Sequence, residues 1–136
     1  MKFNEFRHSN AIRFRIRDGR YFIAKVECIP GIEKGIFAVI NSEDDLTVIA
    51  KEGSMIRFLS RQGYYRIITF DLELPFGLSG FLSHVSSLLV KDEIPIFVLS
   101  SFSTDHILVR EELLEKAVDV LRGDRMLPSG APGNSK

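Results

Sequence analysis

In the first half of the chain, apolar and polar residues alternate at several places with the period of two that belongs to half-buried strands. Ile12, Phe14 and Ile16 point one way and Arg13, Arg15 and Arg17 the other, which predicts a strand with a basic outer face. Asp18-Gly19 reads as a turn into a second run, YFIAKVE, from Tyr21 to Glu27. Pro30, Gly31 and Gly35 break the chain after it. IFAVI (36–40) and LTVIA (46–50) are β-rich and flank the polar NSEDD, a hairpin signature. Ser54 is placed to cap a short helix carrying Met55, Ile56, Phe58 and Leu59, with Gly63 as its stop. Residues 1–10 are polar and mixed, and read as a loose arm.

The second half has longer periods. Ile68, Phe70, Leu72 and Leu74 face away from Thr69, Asp71 and Glu73, a half-buried strand, and PFGLSG (75–80) follows as a tight, glycine-rich connection. Phe81, Leu82, Val85, Leu88 and Leu89 then recur at helical spacing. IPIFVLS (94–100) is apolar on both faces, the pattern of an interior strand, and the polar turn SFSTD leads into the strand HILVR. Leu113, Leu114, Ala117, Val118 and Leu121 stripe a last helix that stops at Gly123. From there GDRMLPSGAPGNSK has little to bury and reads as a disordered tail, 123–136. The order from Tyr64 is strand, helix, strand, strand, helix, one strand short of a βαββαβ unit. The left-over amino-terminal strand at 12–17 is the economical candidate to fill that edge, because an open apolar edge needs a partner.

Composition narrows the function. Eighteen basic and eighteen acidic side chains cancel, so no net charge draws the chain to nucleic acid or an anionic membrane. Cys28 is the only cysteine, which excludes an intrachain disulfide framework and fits a reducing compartment. MKFNEFRHSN lacks the apolar core of a secretory signal, and no apolar run approaches the roughly 20 residues of a bilayer span. The expectation is a soluble, cytoplasmic protein with no membrane partner.

Several chemical motifs fail on geometry. Ser103, Asp105 and His106 suggest a catalytic triad, but neighbours on a strand point to opposite faces, so Asp105 is badly placed to orient His106. His8, His84 and His106 lack thiol or carboxylate companions at ligand spacing, and no metal or other cofactor is expected. KGIFAVI (34–40) partly echoes an RNA-binding motif, yet Ile36, Ala38 and Asn41 fall where stacking aromatics are needed. The arginine face at 13, 15 and 17 is explained more simply as the charged guard of an edge strand. No GxxxxGK[ST] run is present to cradle a nucleotide. The chain is expected not to be an enzyme.

The segment Arg66–Arg122 resembles the second ACT unit of small tandem ACT-domain proteins, a family related to the regulatory modules of aspartokinases and to cytosolic arginine sensors. LPFGLSG before the helix, IPIFVLSSF, STDHILV and the acidic helix start REELLEKA carry the resemblance, and GRYFIAKVE and FAVINSEDDLTVIA extend it more loosely into the first half. It implies an α+β, ferredoxin-like (βαββαβ) fold of tandem ACT domains, with an antiparallel sheet and helices on one face. The units would be 11–63, a degenerate copy, and 64–122. It also implies side-by-side pairing of units, a homodimer, and an amino acid or similar small metabolite bound at the unit interface as a regulatory signal. The competing expectation is a structural or adaptor protein with a vestigial pocket, acting through protein–protein contacts.

A free amino acid presents an ammonium and a carboxylate, and two loops carry groups that suit them. Gly77 and Gly80 allow close backbone approach. Together with Phe76, Leu78 and Ser79 they lead into the first N–H groups of a helix, a seat for a carboxylate. Asp105 supplies a negative charge for the ammonium, and Ser100, Ser103 and Thr104 add hydroxyls on the same turn. Ser79 equally fits a helix cap, the glycines a tight turn, and Asp105 a turn cap.

Overall fold

The computed structural model describes residues 1–31, 35–71 and 79–129. Its organising element is β5 (Ser60–Phe70), the longest strand, whose run YYRIITF is rich in the β-branched and aromatic residues that fit a pleated surface. From Ile67 to Phe70 every β5 residue is buried, so the strand is covered on both faces. β7 (Asp105–Arg110) pairs antiparallel along one edge of β5, and β6 (Ile96–Ser100) pairs outside β7. Along the other edge lie β1 (Arg13–Ile16), opposite Ile68 to Phe70, and β2 (Tyr21–Val26), opposite Ser60 to Tyr65. β4 (Leu46–Lys51) pairs with β2, and β3 (Ile36–Asn41) with β4.

β1 and β2 both run antiparallel to β5, so the chain does not reverse between them. Asp18-Gly19 is a kink in one interrupted strand, with Gly19 at φ +87° supplying the left-handed conformation. The Arg17 N–H still donates to the Ile67 carbonyl at 2.8 Å, which holds the path to β5 through the kink. The amino-terminal strand thus fills the edge beside the second unit, in the register Phe14 to Phe70 and Ile16 to Ile68.

Helices cover one face of the β7-β5-β1 sheet. α2 (Phe81–Lys91) presents Phe81, Val85 and Leu89 to it, and α3 (Leu114–Gly123) presents Ala117 and Leu121, closing over Phe14, Ile68, Phe70, Ile107 and Val109. Residues 1–10, expected as a loose arm, contain α1 (Phe3–Ser9), which buries Phe3 in this core. Arg7 and His84 both reach the Asp124 carboxylate, at 2.9 and 2.7 Å, and tie α1 and α2 to the end of α3. Burial pushes the Asp124 carboxyl up, but the bonds from His84 and Arg7 outweigh it and hold the group below its usual range.

Three expectations are corrected. The stretch from Gly123, expected as disordered, stays on the fold through Ser129: Met126 is fully buried and β8 (Leu127–Pro128) pairs in parallel with β1. The short helix expected after Ser54 is absent; the segment is too short to repay helix nucleation, and Met55, 91% exposed, finds no face to pack on. Gly63 lies inside β5. IPIFVLS is an edge strand, since β6 pairs only with β7 among the described residues and Phe97 is 49% exposed. Its two apolar faces are real, with Ile96 on the helix side and Phe97 edge-on to Tyr65 at 5.5 Å, but the interior strand is β7.

Among the described residues no helix lies between β2 and β5, and the sheet of β2, β3 and β4 bends back instead. In a flat sheet, β3 and β7 would lie four strand spacings apart, about 19 Å. Yet the rings of Phe37 on β3 and His106 on β7 are 5.1 Å apart, edge to face. The strands β3-β4-β2 therefore curl over the helix-free face of the second unit, where Phe37 and Ala38 join Tyr21, Ile49, Tyr65, Ile67, Leu108 and Leu99 in a second core.

Candidate functional site

The two loops singled out in the sequence stand at different clefts. Ser79 and Gly80 line one of about 400 Å³ with Lys2, Phe3 and His84. Gly80 caps α2 at φ +97°, a conformation that favours glycine, while a Cβ there would meet only ordinary contact with Phe3 at 3.7 Å. The Ser79 N–H, expected to face a carboxylate, donates to the Met1 carbonyl at 3.1 Å, and the Ser79 carbonyl accepts from the Phe3 N–H at 2.9 Å. Phe76, Gly77 and Leu78 lie outside the described residues.

The β6–β7 turn borders a second cleft of about 430 Å³, between β3 and the ends of β6 and β7. Ser100 lines it and donates its hydroxyl to Asp105 at 2.5 Å. The Ser101 N–H donates to the Thr104 carbonyl at 2.9 Å and closes the turn, leaving Ser103 exposed at its tip. Ser101 Oγ lies 3.0 Å from His106 Nε2, and Thr104 Oγ1 lies 3.4 Å from the same nitrogen. Asp105 and His106 thus turn to different partners, and no carboxylate touches His106 among the described residues.

His106 is only 3% exposed. Its Nδ1 lies 2.9 Å from Thr69 Oγ1, so hydroxyls stand at both ring nitrogens and can match the one donor and one acceptor of a neutral imidazole. Burial first, and then the Arg17 charge, hold the ring below its ordinary pKa near 6.5, which keeps it neutral at pH 7. Arg17 Nε donates to the same Thr69 hydroxyl at 2.9 Å, and the guanidinium lies 5.3 Å from the Phe37 ring centre. Burial and the adjacent Arg15 depress the Arg17 pKa, though a guanidinium stays charged in proteins.

Arg17, Phe37, Thr69 and His106 were not among the residues selected from the sequence. Alternation put Arg17 and Thr69 each on the polar face of its own strand, and the structure brings those faces together, with Arg17 Nε 2.9 Å from the Thr69 hydroxyl. What strand alternation cannot show is that β3 folds over that face and makes it the wall of a cleft.

Residues 60–123 match the family profile of the ACT domain. Among solved structures, protein Atu0741 from Agobacterium tumefaciens is similar at TM-score 0.75 and 27% identity, covering 90% of this chain and 96% of that one. A Vibrio cholerae protein described as of unknown function and a possible transport protein shares the fold at TM-score 0.65 and 18% identity, over 83% of this chain and 89% of its own. Aspartokinase alpha and beta subunits share it at TM-score 0.57 and 17% identity, over 84% and 96%. No curated protein matches the sequence. The profile covers the run from β5 through α3, which supplies one wall of the second cleft, so this part of the chain is an ACT domain, and ACT domains are generally regulatory modules that bind small ligands.

Proposed function

We propose that this protein senses a free amino acid or a similarly small metabolite in the cleft where its two units meet, and performs no chemistry itself. The observation that carries the reading is the cleft between β3 and the β6–β7 turn. Its volume, about 430 Å³, falls in the roughly 300–1,000 Å³ range of small-molecule sites. Its lining divides into charged and polar groups, from Arg17, Ser100, Ser101 and His106, and apolar ones, from Phe37, Ala38, Val39, Ile40 and Leu99. That division suits a polar head with a side chain. Asp105, bonded behind Ser100, is the charge nearest to hand for the ligand's ammonium.

Occupancy would bridge the two units and favour one curl of the sheet, the signal passed to a partner in the cytoplasm. A thermal-shift screen against the twenty amino acids tests this directly, because a ligand held at 100 times its Kd raises native-state stability by about 2.7 kcal/mol. A stabilising amino acid supports the reading. A flat response to all twenty favours the adaptor alternative.

That alternative has one observation of its own. Among the described residues β6 has an unpaired edge, with Phe97 and Val98 partly exposed, a surface suited to adding a strand from a second copy. A dimer formed there should bury roughly 1,000 Å² or more. Light scattering should report a dimer for the native chain and a monomer for Val98→Lys.

A further inference from the structure

Arg17 is a half-buried cation without an ion pair among the described residues, and it faces into the inter-unit cleft. The acids near it make no ion pair with it: Asp71 is held by Arg15 at 2.7 Å, and Asp105 accepts from Ser100 at 2.5 Å. Its Nε is spent on Thr69, and no hydrogen bond from its two terminal nitrogens exists among the described residues. Removing a charge from water without a counter-ion is costly, so a fold that leaves a guanidinium this way stabilises itself by admitting an anion. The free edge of the guanidinium is the fork that grips a carboxylate with two parallel hydrogen bonds.

We propose that Arg17 is the receptor for the ligand's carboxylate, and that the ligand is a monocarboxylate with an apolar body: an amino acid with a medium-sized aliphatic or aromatic side chain, or the 2-oxo acid of the same shape. The inference rests on the reading of this cleft as the ligand site. The charge inventory sets the class. Among the described residues the cleft holds one fixed positive charge, its histidine is flanked by hydroxyls, and Arg15 is occupied, so a dicarboxylate or a phosphate dianion would bring a second negative charge that none of them partners. The apolar lining of Phe37, Ile40 and Leu99 would be left against a small polar ligand with nothing to bury.

The test uses the full chain and calorimetry with L-leucine, L-methionine and L-phenylalanine, their carboxamides, the matching 2-oxo acids, L-glutamate and inorganic phosphate. At least one of the three amino acids should bind, and its carboxamide, which keeps the body and loses the carboxylate, should bind about tenfold to hundredfold more weakly. This arm changes no residue, so folding cannot confound it. Arg17→Met keeps the apolar stem over Phe37 and should weaken the amino acid by a similar factor without lowering the melting temperature of the free protein. Arg17→Lys retains the charge but not the fork and should fall between. An amino acid bound equally well as its carboxamide, or equally by the wild type and Arg17→Met, overturns this inference and leaves the amino-acid reading standing. Preference for glutamate or phosphate overturns the assigned class. Binding of none of the probes overturns the inference, and a flat response to all twenty amino acids in the screen overturns the wider reading as well.

Discussion

The two ends of the sheet are built of similar strands and bury them by different means. In the carboxyl-terminal unit, β7, β5 and β1 have one face sealed by α2 and α3, and Ile68, Phe70, Ile107 and Val109 are fully buried under them. The amino-terminal unit has no helix between β4 and β5, so β2, β3 and β4 must find cover elsewhere. They find it by curling, with Tyr21, Ile49 and Phe37 laid on the open face of the ACT domain. Among the described residues their other face is covered by side chains of their own strands with Ile56, Phe58, Arg61 and Tyr64. A helix layer makes a dry, continuous core. A curled sheet meets its neighbour along a seam, and the end of that seam stays open as the cleft holding Arg17 and His106.

This contrast can be broken most severely at the shared edge. Deleting residues 1–18 removes α1 and β1, strips Phe3, Ile12 and Phe14 from the helix-side core and exposes the β5 edge. The expected outcome is aggregation or loss of cooperative thermal unfolding by circular dichroism. An unchanged melt would mean the ACT domain does not depend on the borrowed strand.

Next in size is a pair of truncations across the two kinds of core. Phe70→Ala, under the helices, should cost about 3–5 kcal/mol in urea unfolding, the range for large cavities in packed cores. Phe37→Ala, half-buried in the seam, should cost only about 1–2 kcal/mol, because part of its surface already meets solvent. Equal costs would show that the seam is packed as tightly as the helix layer, contrary to the open cleft.

A smaller effect comes from protons and should localise to the seam. The groups facing His106 are Thr69, Ser101, Thr104, Phe37 and Arg17, with Asp105 beside it in sequence and Arg15 further along β1. Its folded pKa lies below the unfolded value near 6.5, so in that interval the unfolded chain binds more protons. Stability should therefore fall as pH drops from about 6.5 and level off below the folded pKa. His106→Gln, which cannot titrate, should lose that sloping step in thermal melts between pH 7 and 5. A slope that survives the substitution would assign the response to another group. The smallest effect belongs to the segment where no helix formed: Met55→Ser should change stability by less than about 0.5 kcal/mol, since the side chain is almost wholly exposed.

The amino-acid pattern alone was enough to place α2, β7 and α3, because each is long and periodic and its burial follows from its own repeat. It also assigned Phe14 and Ile16 to the second unit's edge, since a βαββα run with a spare strand leaves little choice. Where the burial depended on distant chain, reading failed. Met126 and Leu127 sit in a Gly- and Pro-rich stretch, yet the groove beside β1 accepts them. Phe97 looks interior and lies on an edge because strand order, not composition, decides how many neighbours a strand has. The candidate site shows the same division. Alternation put Arg17 and Thr69 each on the polar face of its own strand, as local stereochemistry requires, and it did not bring either to His106. Only the curl of the first unit, a long-range consequence of having no helix to cover it, turned that face from a solvated surface into a cleft with a charge waiting for a partner.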